Sequence, residues 1–200
     1  MSFHQQDNLT EITASNRSII NYQSFDIAQP ETVHFIQPGI ESTVLNRISG
    51  SQNPTQIYGQ LLANGQVYLV NPAGVLFGQN AIVDVGALYA AAGNITNEDF
   101  INGLNQFSGQ DGNVTNLGNL SGESVFLLGE HVINHGKITS TKNTVALLAG
   151  EEILIAEQGA QLNASGDSGG GEILFGGDQN GLNPDIANAQ TTTVASNTKL

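Results

Sequence analysis

The 200-residue chain contains no cysteine, no tryptophan and a single methionine. Without cysteine, disulfide staples and thiolate metal centres are excluded. Cations are also scarce: Lys and Arg total 5 against 18 Asp and Glu, a formal net charge of -13. So few cations cannot neutralise a phosphate backbone, which argues against nucleic acid as a partner. The same shortage argues against anionic membrane surfaces. No apolar run approaches the length that spans a bilayer, so membrane insertion is not expected. The residues after Met1 are polar and do not read as a signal peptide. An exported protein with this sequence would carry its signal outside these residues.

What is abundant is glycine, 24 residues, together with asparagine. Both tolerate tight and left-handed turns. They separate many short runs rich in β-branched and aromatic residues, which is an all-β signature. At this length one sizeable core is expected.

The clearest stretch is Gly65-Gln-Val-Tyr-Leu-Val-Asn-Pro-Ala-Gly-Val-Leu-Phe-Gly78, continued by Asn80-Ala-Ile-Val-Asp-Val-Gly-Ala-Leu88. Val67–Val70 and Gly74–Phe77 suit strands. Between them, Asn71, Pro72 and Gly74 stand where a type I turn places Asn at its first corner, Pro at its second and Gly at its fourth. Ala81, Val83 and Val85 then alternate with Ile82 and Asp84, a period of two. The unit reads strand, corner, strand, corner, strand, with no room for a helix.

Along the rest of the chain, residues 1–11 read as frayed or incomplete. Strand candidates are Ser18–Ile27, Thr32–Ile36, Thr43–Ile48 and Gln56–Leu61, each bounded by Pro or Gly. Leu88–Asn94 is Ala-rich and suits either a helical turn or a strand. Residues 97–112 read as a surface excursion with a short helix, because Phe100, Ile101, Leu104 and Phe107 fall at helix-like spacing.

From Asn113 the sequence repeats. Asn116-Leu-Gly-Asn-Leu-Ser aligns with Asn134-His-Gly-Lys-Ile-Thr and Gln158-Gly-Ala-Gln-Leu-Asn. Each is followed by an apolar run that ends in glycine, beginning at Val125, Val145 and Ile173 respectively. A period of about 20 residues with no helix fits a solenoid of β coils. The expected fold is therefore all-β: a right-handed parallel β-helix, a single-stranded solenoid with small extra-helical β elements. Val67, Leu69, Val83, Val85, Val125 and Val145 are expected to stack coil on coil in its interior.

The residues Ala63-Asn-Gly-Gln-Val-Tyr-Leu-Val-Asn-Pro-Ala-Gly-Val-Leu-Phe-Gly, with Ala81–Leu88, Ile19–Ile27 and Val44–Ile48, resemble the haemagglutination-activity, or two-partner secretion, domain of filamentous-haemagglutinin-like exoproteins. The resemblance covers about residues 8–165 and is closer to the high-molecular-weight-adhesin branch than to the pertussis-type haemagglutinin branch. Residues 166–200 then read as the continuation of the β-helical passenger. Three departures stand out. The family's Asn-Pro-Asn-Gly corner has Ala73 in third place. Its Asn-Pro-Asn-Leu motif has no match, Gln37-Pro38-Gly39-Ile40 being the nearest stretch. Its signal peptide and first capping strands, which precede Asn8 in the family, are not found, so the N-terminal cap is expected to be missing.

The resemblance implies a non-enzymatic secretion-targeting domain of a large adhesin-type exoprotein. It would be recognised by an outer-membrane TpsB transporter of the Omp85 type through periplasmic POTRA domains. It would be secreted to the surface of a Gram-negative bacterium, where a host-cell or surface glycan or protein receptor is a further partner. Asn71, Pro72 and Gly74 are the candidate recognition residues, and they also serve as a structural corner.

Other sites weigh less. His131 and His135 are four apart on a coil, not on a helix, so zinc-protease geometry does not apply. Adjacent Glu151 and Glu152 point to opposite faces of a strand. Asp178–Asp185 spaces oxygen atoms as calcium loops do, but lacks a closing Glu and contains Pro184. No metal and no cofactor are expected. The six Asn-x-Ser/Thr sequons, at Asn8, Asn16, Asn94, Asn113, Asn119 and Asn163, are what an Asn-rich turn composition produces. Two other readings remain: a polysaccharide-active β-helix enzyme of the pectate-lyase kind, and a purely structural passenger segment. The first needs carboxylates clustered with calcium or basic residues on one exposed coil face, and with only Arg17, Arg47, Lys137, Lys142 and Lys199 as cations no such cluster is visible.

Overall fold

In the computed structural model, the residues described are 1–50, 52–155, 160–166, 169–175 and 190–194. The Asp178–Asp185 loop, Gln158 and Lys199 lie outside them, as do the side chains of Glu151 and Glu152.

The chain winds in successive coils. The first holds β1 (Ser2–Gln6), β2 (Leu9–Thr13) and β3 (Ser18–Tyr22). The second holds β4 (Thr32–Ile36), β5 (Thr43–Ile48) and β6 (Thr55–Ile57). The third, built on the central stretch, holds β7 (Gln60–Ala63), β8 (Gln66–Val70) and β9 (Val75–Phe77). The fourth holds β10 (Ile82–Asp84), β11 (Ala87–Ala91), the helix α1 (Asn97–Asn102) and β12 (Val114–Asn116). After these come β13 (Asn119–Gly122) with β14 (Ser124–Asn134), then β15 (Lys137–Ser140) with β16 (Thr144–Ile155). The last coil contains β17 (Gln161–Gly166), β18 (Gly169–Gly170), β19 (Glu172–Phe175) and β20 (Thr191–Val194).

Strands of neighbouring coils pair in parallel, as a β-helix requires, because each coil supplies its own crossover. One face of the coil is the sheet β2-β4-β7-β10-β13-β15-β17. A second runs β3-β5-β8-β11 and on to the first half of β14. A third runs β6-β9-β12 and joins the second half of β14. In β14 and β16 the second and third faces belong to single long strands, with a register shift between Gly129 and His131 where the chain bends.

The interior follows from the two-residue alternation. On the first face Leu61, Val83, Leu120, Ile138 and Leu162 lie in register. On the second face the column is Val44, Val67, Leu88, Val125, Val145 and Ile173. Leu69 and Val85 are also buried, whereas Ile82 is 44% exposed on the outside. The repeats from Asn113 thus stack in the alignment read from the sequence.

A polar step interrupts the third column. Below lie Ile57 and Phe77, above lies Ile155, and between them are Asn116 and Asn134. Both are fully buried, and Asn116 Nδ2 donates to Asn134 Oδ1 at 2.8 Å. Their remaining amide atoms bond backbone of the adjoining turns, Gly118 N and Gly136 O, so no polar group is left wanting in the corner.

Several elements differ from the sequence reading. Residues 1–11 are not frayed: β1 and β2 form an antiparallel hairpin, and β2 pairs in parallel with β4. The strands at this edge thus begin at Ser2, before Asn8. All of β1 is solvent-exposed, so it carries no apolar alternation by which to be seen. The Ser18–Ile27 strand is shorter than expected, ending at Tyr22, although Ile27 still bridges to Ile57. The Ala-rich stretch is strand β11.

The excursion does contain a short helix, α1, capped by the Thr96 side chain accepting from Asp99 N and by left-handed Gly103. It is more than surface decoration. The outer side of the second face is apolar too, with Leu45, Tyr68, Tyr89 and Phe126 in one column. Tyr68 and Tyr89 stack with ring centres 4.2 Å apart, and Tyr89 and Phe126 4.5 Å apart. The excursion covers the lower end of this column: Phe100 meets the Tyr68 ring edge-on at 5.1 Å, and the Tyr68 hydroxyl donates to Asn105. A sheet buried on both faces explains why these strands read as near-continuous apolar runs.

Candidate functional site

Asn71, Pro72, Ala73 and Gly74 form the corner between β8 and β9, where the chain leaves the second face for the third. Gly74 N donates to Asn71 O at 2.9 Å, closing the four-residue turn that the sequence spells. Asn71 Oδ1 accepts from Ala73 N at 3.0 Å, an Asx-turn within the corner.

The corner is also tied to the coils on either side. Asn71 Nδ2 donates to Asn53 O and to Thr55 Oγ1, both at 3.1 Å, in the preceding coil. Asn71 N donates to Ala91 O in the following coil. The Asn71 side chain is consequently 1% exposed. In the folded domain it faces inward and presents nothing to a visitor.

Gly74 is dictated by two constraints. Its φ of +117° lies where side chains are disfavoured, and an added Cβ would stand 2.8 Å from Asn113 O. The approach serves a bond, because Val75 N donates to that same Asn113 oxygen. Pro72 and Ala73 remain half-buried at the surface. Ala73, at the family's third Asn position, borders a shallow groove of about 500 Å³ with Pro54, Leu76, Asn113, Glu130 and His131.

Gln37, in the stretch nearest to the family's second motif, is also at a corner. Its Nε2 donates to Ser42 O at 2.6 Å and to Gln66 O at 3.3 Å. Its backbone exchanges two 2.7 Å bonds with the Asn64 amide, joining consecutive coils. This corner and the Asn71 corner follow one logic: a buried amide side chain holds adjacent rungs together.

Arg47 escaped the sequence reading as a structural residue. It projects from β5 and donates to Asn97 Oδ1 at 2.7 Å and to Ile95 O at 2.8 Å, pinning the start of the excursion. Partial burial lowers its pKa from the usual arginine value. The available signal was a lone cation inside the apolar run Val44-Leu-Asn-Arg-Ile48, but its partners lie 48 and 50 residues away. Lys142 pairs with Glu123, across neighbouring coils. Among the described residues no group of three or more His, Asp or Glu side chains could hold a metal ion.

Comparison with known proteins places this geometry. A family model described as the TPS secretion domain matches residues 4–200. Two curated relatives, both named heme/hemopexin-binding protein and both from Haemophilus influenzae, are similar in sequence. The first is 39% identical over 135 residues, 62% of this chain and 15% of the relative. The second is 43% identical over 84 residues, 42% of this chain and 9% of the relative. The chain therefore matches only a small part of each relative's length. Among solved structures, the HMW1 secretion domain from Haemophilus influenzae superposes with a TM-score of 0.73 at 22% identity, covering 98% of this chain and 80% of that one. That likeness establishes the shared β-helix fold. With the family model spanning nearly the whole length, the chain belongs to the TPS secretion domain family.

Proposed function

We propose that this domain addresses a large adhesin-type exoprotein to an outer-membrane TpsB transporter of the Omp85 type, then nucleates the folding of the β-helix behind it. The family is one of secretion domains, and its role is in export. The finer reading is that the transporter's periplasmic POTRA domains capture the chain while it is extended, and that Asn71, Pro72 and Gly74 belong to the captured segment. An extended segment with a strand pattern can add to an exposed sheet edge, backbone bonds supplying affinity and side chains selectivity.

The observation that carries this reading is the burial of Asn71. A side chain 1% exposed and bonded to Asn53, Thr55 and Ala73 is unavailable once the domain has folded. Recognition through it must therefore precede folding. Afterwards the same amide ties its coil to the preceding one, while the Asn71 backbone N–H bonds Ala91 O of the following coil, and each new coil buries apolar surface on the last. On this proposal residues 8–165 are the secretion domain and 166–200 the first part of the passenger, bound for the bacterial surface. The protein has no catalytic step of its own.

A pull-down with the purified POTRA part of a candidate transporter tests this. Two forms of the chain are offered, the folded wild type and a Val83→Asp variant that stays unfolded. Capture of the unfolded form alone is expected. Equal capture of both would show that a surface of the folded domain is read, and would end the proposal.

A further inference from the structure

Among the described residues Asn or Asp precedes Gly at Asn64-Gly65, Asn102-Gly103 and Asp111-Gly112. Such a pair is a chemical weak point, because glycine has no Cβ to keep its backbone nitrogen away from the preceding side-chain carbonyl carbon. The fold shields two of these pairs and leaves one open. The Asn64 side chain accepts from Gln37 N and donates to Gln37 O, both at 2.7 Å, and a Cβ on Gly65 would stand 2.6 Å from Gln37 Nε2. Gly112 is packed on the Asn71 corner, where a Cβ would stand 2.5 Å from Pro72 O.

Asn102 differs. It is the last residue of α1, it is exposed, and its side chain has no hydrogen-bond partner among the described residues. Open space surrounds Gly103, where an added Cβ would meet nothing within 4 Å. The Gly103 N–H is held only by the last-turn carbonyls, Asp99 O and Phe100 O, in a helix of 6 residues. The end of so short a helix opens readily.

We propose that Asn102 is a spontaneous deamidation site, and that its conversion loosens the excursion from the aromatic column of the second face. The Gly103 nitrogen attacks Asn102 Cγ and forms a new C–N bond. The Cγ–Nδ2 bond breaks, and ammonia leaves carrying the Gly103 amide proton. Water then opens the cyclic imide, giving aspartate or, with the chain rerouted through the side chain, isoaspartate. Either product adds a carboxylate at the C-terminal end of α1, where the helix dipole disfavours it. Glu98 and Asp99 already face that end at helical spacing, and the last turn holds no basic residue to offset them. Isoaspartate also lengthens the backbone by a methylene, which draws Gly103 N and Leu104 N away from Phe100 O and Asp99 O. Phe100 is the residue that α1 buries, and it meets the Tyr68 ring edge-on. Loosening α1 therefore uncovers the lower end of the Tyr68 and Tyr89 stack.

The test ages the folded chain in mildly alkaline buffer and maps its peptides by mass spectrometry. Asn102 should convert about tenfold faster than Asn64 or more, because the two hydrogen bonds of Asn64 must open first. In urea, which removes the fold, Asn64 should convert at least as fast as Asn102, since small Ala63 precedes it while branched Ile101 precedes Asn102. Hydrogen exchange across residues 95–107 should rise in the aged wild type. It should stay at the fresh level in aged Asn102→Gln, where the longer side chain closes the imide ring far more slowly. The proposal is overturned if Asn102 fails to outpace Asn64 in the folded chain, or if it still outpaces Asn64 in urea. It is also overturned if the aged wild type and aged Asn102→Gln exchange alike.

Discussion

Replacing Asn71 with Ala should cost the folded domain about 3 kcal/mol. The side chain makes three hydrogen bonds, to Asn53 O, Thr55 Oγ1 and Ala73 N. Each contributes about 1 kcal/mol net, and a buried group left unpaired adds to the loss. Ala73 N and Asn53 O lie near the surface and can take water in place of the amide, but Thr55 is 1% exposed and cannot readily do so. About 3 kcal/mol is a large part of the 5–15 kcal/mol that holds a typical domain together. Urea unfolding followed by circular dichroism should show the midpoint falling while the slope m stays constant, since the surface exposed on unfolding is unchanged. A loss under about 1 kcal/mol at constant m would refute the claim that this corner joins the coils. The same substitution separates the two roles given to Asn71. A synthetic peptide covering residues 60–90 should bind the POTRA domains more weakly when it carries Asn71→Ala. Unchanged peptide binding would confine Asn71 to the corner.

Gly74→Val should be more damaging than Asn71→Ala, because it combines a disfavoured φ with a clash against Asn113 O, and should slow secretion and refolding together; normal export of the variant in a reconstituted system would contradict this. Val83→Asp places a charge among Leu61 and Leu120 with no partner, and should abolish cooperative unfolding at neutral pH in calorimetry. Arg47→Ala removes charge-assisted bonds worth about 1.5–3 kcal/mol each to the excursion, and should raise hydrogen exchange across residues 95–107 while that of β13 and β15 hardly changes. Burial raises the pKa of Tyr22, Tyr68 and Tyr89 above the ordinary tyrosine value. The folded state therefore holds those protons more tightly than the unfolded chain does. The resulting stability is complete below about pH 10, where free tyrosine ionises, and is lost as the pH rises above it. Thermal midpoints should fall above pH 10, and in a Tyr58→Phe background, which removes the exposed tyrosine, phenolate absorbance should rise at the unfolding transition and not before it.

Much of this molecule was legible before any coordinates, because a β coil is encoded locally. Alternation at Ala81, Val83 and Val85 depends only on the pleat, which sends successive side chains to opposite faces. The Asn71–Gly74 corner depends on the turn preferences of four adjacent residues. The repeat from Asn113 places Leu120, Ile138 and Leu162 one above the other because each copy of the motif starts its coil with the same strand, although the copies differ in length. What the linear chain could not show is who meets whom between rungs. The partners of the Asn71 amide in the preceding coil lie 16 and 18 residues upstream, and the Asn97 that Arg47 holds is 50 residues away. The exposed strand β1 has no burial pattern and exists through its backbone ladder with β2. The aromatic column of Tyr68, Tyr89 and Phe126 needs the second sheet to have an apolar outer side, and only an excursion folding back over it makes that side affordable in water. Local stereochemistry thus wrote the rungs and their corners. Register between rungs, and the closure of long loops upon them, decided which polar groups were sealed inside and which were left facing water.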